Sequence, residues 1–303
     1  MKFGYGSDII TTGLTVQKRW TIEDYLREIA DIGYDCASLF CWRGLQAQPQ
    51  YLKSEDRKQI LSLLDEINIT ISLIGGYGGL MLTTDYGYFS HDKSEREYVK
   101  SYMKQCVDLA VDLKCDVVGE ISSIKPSYMK EEKAWEILET ELGEVCDYAQ
   151  ENRVNIALEP GMRVLDIFIY SAQSFLEIKK RIKSNALKCD YDPSNMIIGG
   201  EKNVLEDIKL IKNDVVDVAL KGVKQGVMTN NMEFTRPNSE LDCTEQEQFL
   251  TILKQIGYDG AISIEELQGL YTVPMDIDLF ESAKLCYSDI GRILDKIDYQ
   301  RQK

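Results

Sequence analysis

The chain has 303 residues, is 44% hydrophobic and 28% charged, and carries a formal net charge of −15. This is the composition of a globular protein with a sizeable core, and no run of about 18 apolar residues offers a transmembrane span. The negative field repels phosphate backbones, which sets aside nucleic acid and membrane surfaces as partners, and a single histidine, His91, rules out any site built from two imidazoles of one chain. The opening "MKFGYGSDII" has neither the apolar stretch nor the cleavage site of a signal peptide, so a cytoplasmic location is expected. Eight cysteines without a C-x-x-C pair fit reduced core thiols in such a compartment.

Taken in chain order, short apolar runs predict strands near 3–7, 35–40, 69–74, 116–121, 154–159, 187–192, 215–221 and 260–265. Amphipathic segments separate them. Thr21-Ile-Glu-Asp24 has the form of a capping box and opens a helix that Gly33 stops. Ser94-Glu-Arg-Glu97 and Thr244-Glu-Gln-Glu247 predict two further helix starts of the same kind, the second ending at Gly257. "DIGYDCASLF" and "QIGYDGAISI" repeat one helix-to-strand joint near the two ends of the chain, as if both sat in one ring.

Eight β-α units with no linker predict a single-domain (β/α)8 TIM barrel over residues 1–303. The rival, a doubly wound open sheet, lacks a G-x-G-x-x-G or phosphate-loop signature here. The long connections 8–20, 75–93 and 222–242 then lie on the barrel face where active sites are built. The aromatic run "GGYGGLMLTTDYGYF" within the second reads either as a lid or as a surface for a neighbouring copy, which leaves a homo-oligomer open.

Three predicted strands end on acids: Glu159, Asp192 and Glu265, with Glu120 as a fourth candidate. In a barrel they converge on one mouth. Close carboxylates repel, so they need a metal, a shared proton or a lysine between them. An all-oxygen set favours Mn or Mg over Zn. Residues 219 and 221 share a strand face, so Lys221 is the competing cation.

"ALEPG", "YDPSN", "ALKG" and "GYDGAISIEE", in this order and spacing, resemble the sugar phosphate isomerase/epimerase superfamily of xylose isomerase-like TIM barrels. The resemblance implies one divalent metal held by Glu159, Asp192 and Glu265. It also implies Glu159 and Glu265 as the pair that moves a proton next to a carbonyl through a metal-stabilised enediolate. This chain keeps the pattern's lysine as Lys221 and departs elsewhere: Asn195 stands where many relatives have histidine, and "RPNSELD" replaces a Gly-rich turn. Ala219 stands where relatives carry a histidine ligand, Gly222 replaces an aspartate, and Ser38 replaces a glutamate on the second strand. Candidate substrate contacts are Lys221, Asn195, Arg163, His91, Trp42 and Glu120. Arg163 reads equally as a surface ion-pair partner, Asn195 as a turn cap, His91 as a loop residue and Trp42 as core.

The expected function is a sugar, polyol or keto-sugar isomerase or epimerase with a small carbohydrate substrate. A lyase or dehydratase sharing the first proton abstraction is the alternative, and a non-catalytic sugar-binding barrel with a decayed metal site is the third.

Overall fold

The computed structural model describes residues 1–6, 20–42, 46–81, 87–226, 232–265 and 279–301. Its strands are β1 (Lys2–Gly6), β2 (Cys36–Phe40), β3 (Thr70–Gly75), β4 (Val117–Ile121), β5 (Asn155–Glu159), β6 (Leu187–Tyr191), β7 (Val215–Leu220), β8 (Gly222–Gln225), β9 (Met232–Thr235) and β10 (Ala261–Glu265). The principal helices are α1 (Ile22–Ile32), α2 (Ser54–Ile67), α3 (Lys93–Asp112), α4 (Glu131–Glu151), α5 (Ala172–Ile182), α6 (Pro193–Ile198), α7 (Gln246–Gln255) and α8 (Leu279–Lys296).

Eight of the strands close into a ring in the order β1-β10-β7-β6-β5-β4-β3-β2, every pair parallel. This is the expected TIM barrel. All five residues of β2, β4 and β10 are buried, because one face of each strand looks into the barrel and the other is covered by helices. The core of the outer layer includes Val99, Tyr102, Met103 and Cys106 of α3 and Leu138, Leu142, Val145 and Cys146 of α4.

The two Gly-Tyr-Asp joints are built alike. Gly33 and Gly257 adopt φ of 110° and 76°, where a side chain would be strained, and the amides of Tyr34 and Tyr258 donate back to Ile29 and Leu253. The strands they lead into, β2 and β10, both pair with β1. All eight cysteines are free, and seven are buried.

Three local expectations are corrected. α3 is capped by Asp92, whose carboxylate accepts from the Ser94 amide, so Ser94 lies inside the helix. Thr244 does not cap α7, because its hydroxyl donates to Asp242 and Glu245 takes the cap position at φ 52°. The connection 222–242 holds an antiparallel hairpin, β8–β9, whose base is tied by Asp242 to the amides of Val223 and Asn238. The described aromatics of "GGYGGLMLTTDYGYF", Tyr77, Tyr88 and Phe89, are all buried. Residues 82–86 of that run, and 8–19 of the first connection, lie outside the described residues.

Tyr77 fills the barrel from above. A Cβ at Gly119 would come within 3.0 Å of its ring, and one at Gly75 within 2.9 Å, so the two glycines make room for it. The capping box of Thr21 and Asp24 forms as expected, with the Asp24 amide donating to the Thr21 hydroxyl at 3.0 Å. Thr21→Ala removes that exposed cap and is expected to lower unfolding free energy by about 1 kcal/mol, measured by urea titration.

Candidate active site

Side chains two apart on a strand share a face, which fixes what meets inside the ring. On the four neighbouring strands β5, β6, β7 and β10, the series ending in Glu159, Asp192, Lys221 and Glu265 points inward, and all four residues are nearly inaccessible to solvent. Each stands at the C-terminal end of its strand, so the four sit side by side around the mouth.

Lys221 answers the repulsion among the acids. Its ammonium contacts the Asp192 and Glu265 carboxylates together. The Phe234 ring of β9 lies 5.9 Å from it. Its backbone is fixed as well, since the Lys221 carbonyl accepts from the Ser194 hydroxyl at 2.7 Å and from the Gln246 amide at 2.9 Å.

The Asp-Pro-Ser-Asn turn explains the rest. Asp192 is the N-cap of α6 and Pro193 its first residue, an arrangement suited to a helix start. One Asp192 oxygen accepts from the Ser194 and Asn195 amides at 2.7 and 3.0 Å, and the other is left for Lys221. Capping therefore orients a carboxylate for the site. Asn195, one helical turn on, donates its side-chain amide to Glu159. An asparagine from the neighbouring strand's turn thus holds the strand-end glutamate, with a lysine beyond it.

Burial pushes the Glu159 carboxyl well above its ordinary range; Lys221 opposes this, while Asp190, Asp192 and Glu265 reinforce it. Glu265 is raised by burial too, against the pull of Lys221. Burial alone would lower Lys221, but Asp192, Glu265 and Glu159 outweigh it and keep the ammonium charged.

Two further acids, absent from the expected set, lie one layer below. Asp190 and Asp217 are register partners on β6 and β7, both buried. The Tyr77 hydroxyl donates to one Asp190 oxygen at 3.0 Å, and the second oxygens of Asp190 and Asp217 have no hydrogen-bond partner among the described residues. Burial raises both carboxyls far above the usual range, and Asp217 adds to the rise of Asp190. Their signal in the sequence is spacing: Asp190 is two residues before Asp192, and Asp217 four before Lys221, on the same inward faces.

The other expected contacts separate. Trp42 is half-buried in an aromatic wall, its ring 5.0 Å from Phe40 and 5.7 Å from Tyr77. Arg163 is exposed, stacked 4.8 Å from the Tyr170 ring and 3.9 Å from Glu201, and His91 is exposed beside the α3 cap. Glu120 does not join the mouth. It alternates with inward-facing Gly119 and so points outward, where its carboxylate accepts from the Gly79 and Ile121 amides and the Tyr88 hydroxyl at 2.9, 2.7 and 2.6 Å. It pins the loop after β3 to β4. Ser38 remains inside, 3.5 Å from the Ser263 hydroxyl.

With this geometry in place, comparison with known proteins is decisive on one point. The profile of the xylose isomerase-like TIM barrel family matches residues 26–276. The chain belongs to that family. An uncharacterized protein of Methanocaldococcus jannaschii is 22% identical over 273 residues, spanning 88% of this chain and 83% of that protein. Among solved structures, a D-tagatose 3-epimerase-like protein superposes with a TM-score of 0.76 at 19% identity, covering 98% of each chain. The IOLI protein with a bound zinc atom superposes at 0.77 and 15% identity, covering 99% of this chain and 100% of that one. At these identities the superpositions speak for the fold.

The zinc in that relative raises the question of a metal here. The donor set does not fit one. The ammonium of Lys221 already lies against Asp192 and Glu265, Asn195 donates into Glu159, and the inward position on β7 is Ala219, which has no donor atom. Among the described residues, no group of three His, Cys, Asp or Glu side chains is arranged to hold a metal ion. Among them, too, no helix is long and apolar enough to cross a membrane.

Glu120 supplies a pH test. Burial, opposed by its three hydrogen bonds, pushes its carboxyl from 4.5 to about 7. A folded-state value above the unfolded one means the folded chain binds more protons between those two values, so stability falls as pH rises through that window. Glu120→Gln cannot titrate. Denaturant titrations from pH 4.5 to 7 are expected to show the wild type losing stability relative to this variant as pH increases.

Proposed function

We propose that the chain is a sugar epimerase or isomerase that removes and returns a proton at a carbon next to a carbonyl, with Glu159 and Glu265 as the two exchanging carboxyls. The observation that carries this reading is their placement. They stand on β5 and β10 with Asp192 and Lys221 between them, so a substrate at the mouth is faced by a carboxyl from either side. Burial raises both carboxyls, and Glu265 adds to the rise of Glu159, which suits a pair in which one member gives a proton and the other takes one. Such a pair takes a proton on one face and delivers one on the other, then resets with solvent.

The likeness to a D-tagatose 3-epimerase-like protein supports a ketose as the substrate class. The aromatic wall of Phe40, Trp42 and Tyr77 suits the apolar face of a sugar ring. Five carboxyls clustered in a barrel interior are costly to keep, which argues against a mouth that has lost its chemistry. The buried free thiols support the cytoplasmic location expected from the sequence.

Incubation with D-tagatose, D-fructose and D-ribulose in deuterated water, followed by NMR, tests the proposal. Exchange at the carbon beside the carbonyl and appearance of the epimer or aldose are expected with at least one ketose. Glu159→Gln is expected to slow exchange by roughly 100-fold or more. Absence of exchange with every ketose tried would remove the proposal, and an unsaturated product would reassign the chain to elimination.

A further inference from the structure

We propose that Lys221 is the built-in cation of this site, doing with an N–H donor what a divalent metal does elsewhere: holding the negative oxygen that forms when the substrate loses its proton. The role in stabilising that oxygen rests on the reading above; the independence from metal does not.

Three observations carry it. First, the strand end that carries the ammonium is fixed by the fold. Its backbone carbonyl is held by Ser194 and Gln246, and Ser194 belongs to the same turn that caps α6 with Asp192. Second, its charge is matched to its surroundings. A lysine has three N–H donors, of which Asp192 and Glu265 take two, and among the described residues the third has no carboxylate partner. Third, a divalent ion at this point would have to share the two carboxylates with an ammonium already touching both, and like charges at such range repel strongly. The strand position next to it, Ala219, offers no replacement donor. With alanine at 219, the positive charge at this point comes from Lys221 alone among the described residues.

The step balances without an added ion. An ionised carboxylate, Glu159 or Glu265, takes the proton from the carbon beside the carbonyl. The C–H electron pair becomes a C=C bond, and the carbonyl π pair moves to oxygen, which accepts the third N–H of Lys221. Lysine keeps its proton throughout. Reversal with delivery to the opposite face gives the epimer. A donor already in place on a rigid strand end stabilises the developing charge without reorganising.

The experiment reads metal first and catalysis second. Wild-type protein is dialysed against a chelator, then against Mn, Mg or Zn, and assayed for bound metal by mass spectrometry and for melting temperature. No stoichiometric uptake and no rise in melting temperature are expected. One ion per chain, with a stabilisation that Glu265→Gln abolishes, would overturn the proposal. The double variant Lys221→Ala with Ala219→His removes the ammonium and restores a donor. It is expected to gain Mn- or Zn-dependent stabilisation, and a double variant that folds yet stays indifferent to metal would also count against the proposal. With a ketose that undergoes exchange, Lys221→Met is expected to lower kcat roughly 100-fold with little change in KM, and chelator to leave the wild-type rate unchanged. If no ketose exchanges at all, the functional reading fails, while the metal measurements still decide what neutralises the acids.

Discussion

The contact of one ammonium with two carboxylates at the barrel mouth is the constraint around which the rest is arranged. Removing a charge from water into a protein interior is prohibitive unless it is paired and its remaining lone pairs are satisfied. Here Asp192 is satisfied by the amides of the helix it caps, Lys221 by two carboxylates, and Glu159 by Asn195. Take away the lysine and three acids at the mouth are left against each other and against Asp190 and Asp217 beneath. The helix cap, the hydrogen bonds to the Lys221 carbonyl and the inward phase of four strands all serve this one arrangement.

A consequence is that local structure and site chemistry are not separable in this barrel. The Asp-Pro-Ser-Asn turn is at once a good helix start and the source of two polar side chains in the mouth. Asp242 secures the β8–β9 hairpin and accepts from Gln246, which in turn holds the Lys221 carbonyl. The hairpin also brings Phe234 over the ammonium. A relative that carries zinc on the same fold shows how differently this end of the barrel can be furnished.

Much of this was written in the chain. Alternating apolar runs and amphipathic helices placed every barrel strand, and strand-end acids with Lys221 marked the mouth. What could not be read was phase in strands buried on both faces. With apolar residues on each side there is no alternation to show which way Glu120 points, and it turns outward to Tyr88. Asp190 and Asp217 were hidden for a related reason: attention to strand ends passes over an acid in mid-strand, where burial argues against it. Helix starts at Ser94 and Thr244 went astray because neighbouring aspartates, Asp92 and Asp242, claimed the capping and hydroxyl contacts first. The hairpin, four residues to a strand, is too short to leave a period.

The tyrosine that reaches down to Asp190 has an implication for how this sequence can change. Its ring occupies space that two glycines on different strands leave open, Gly75 beside it and Gly119 across from it. Positions 75, 77 and 119 therefore behave as a single unit under mutation. A larger residue at either glycine evicts the ring, and a smaller one at 77 opens a void over two bare stretches of backbone. Compensated triples remain open to the fold even where each lone change is harmful, so descendants of this barrel should cross from one filling of its interior to another in jumps.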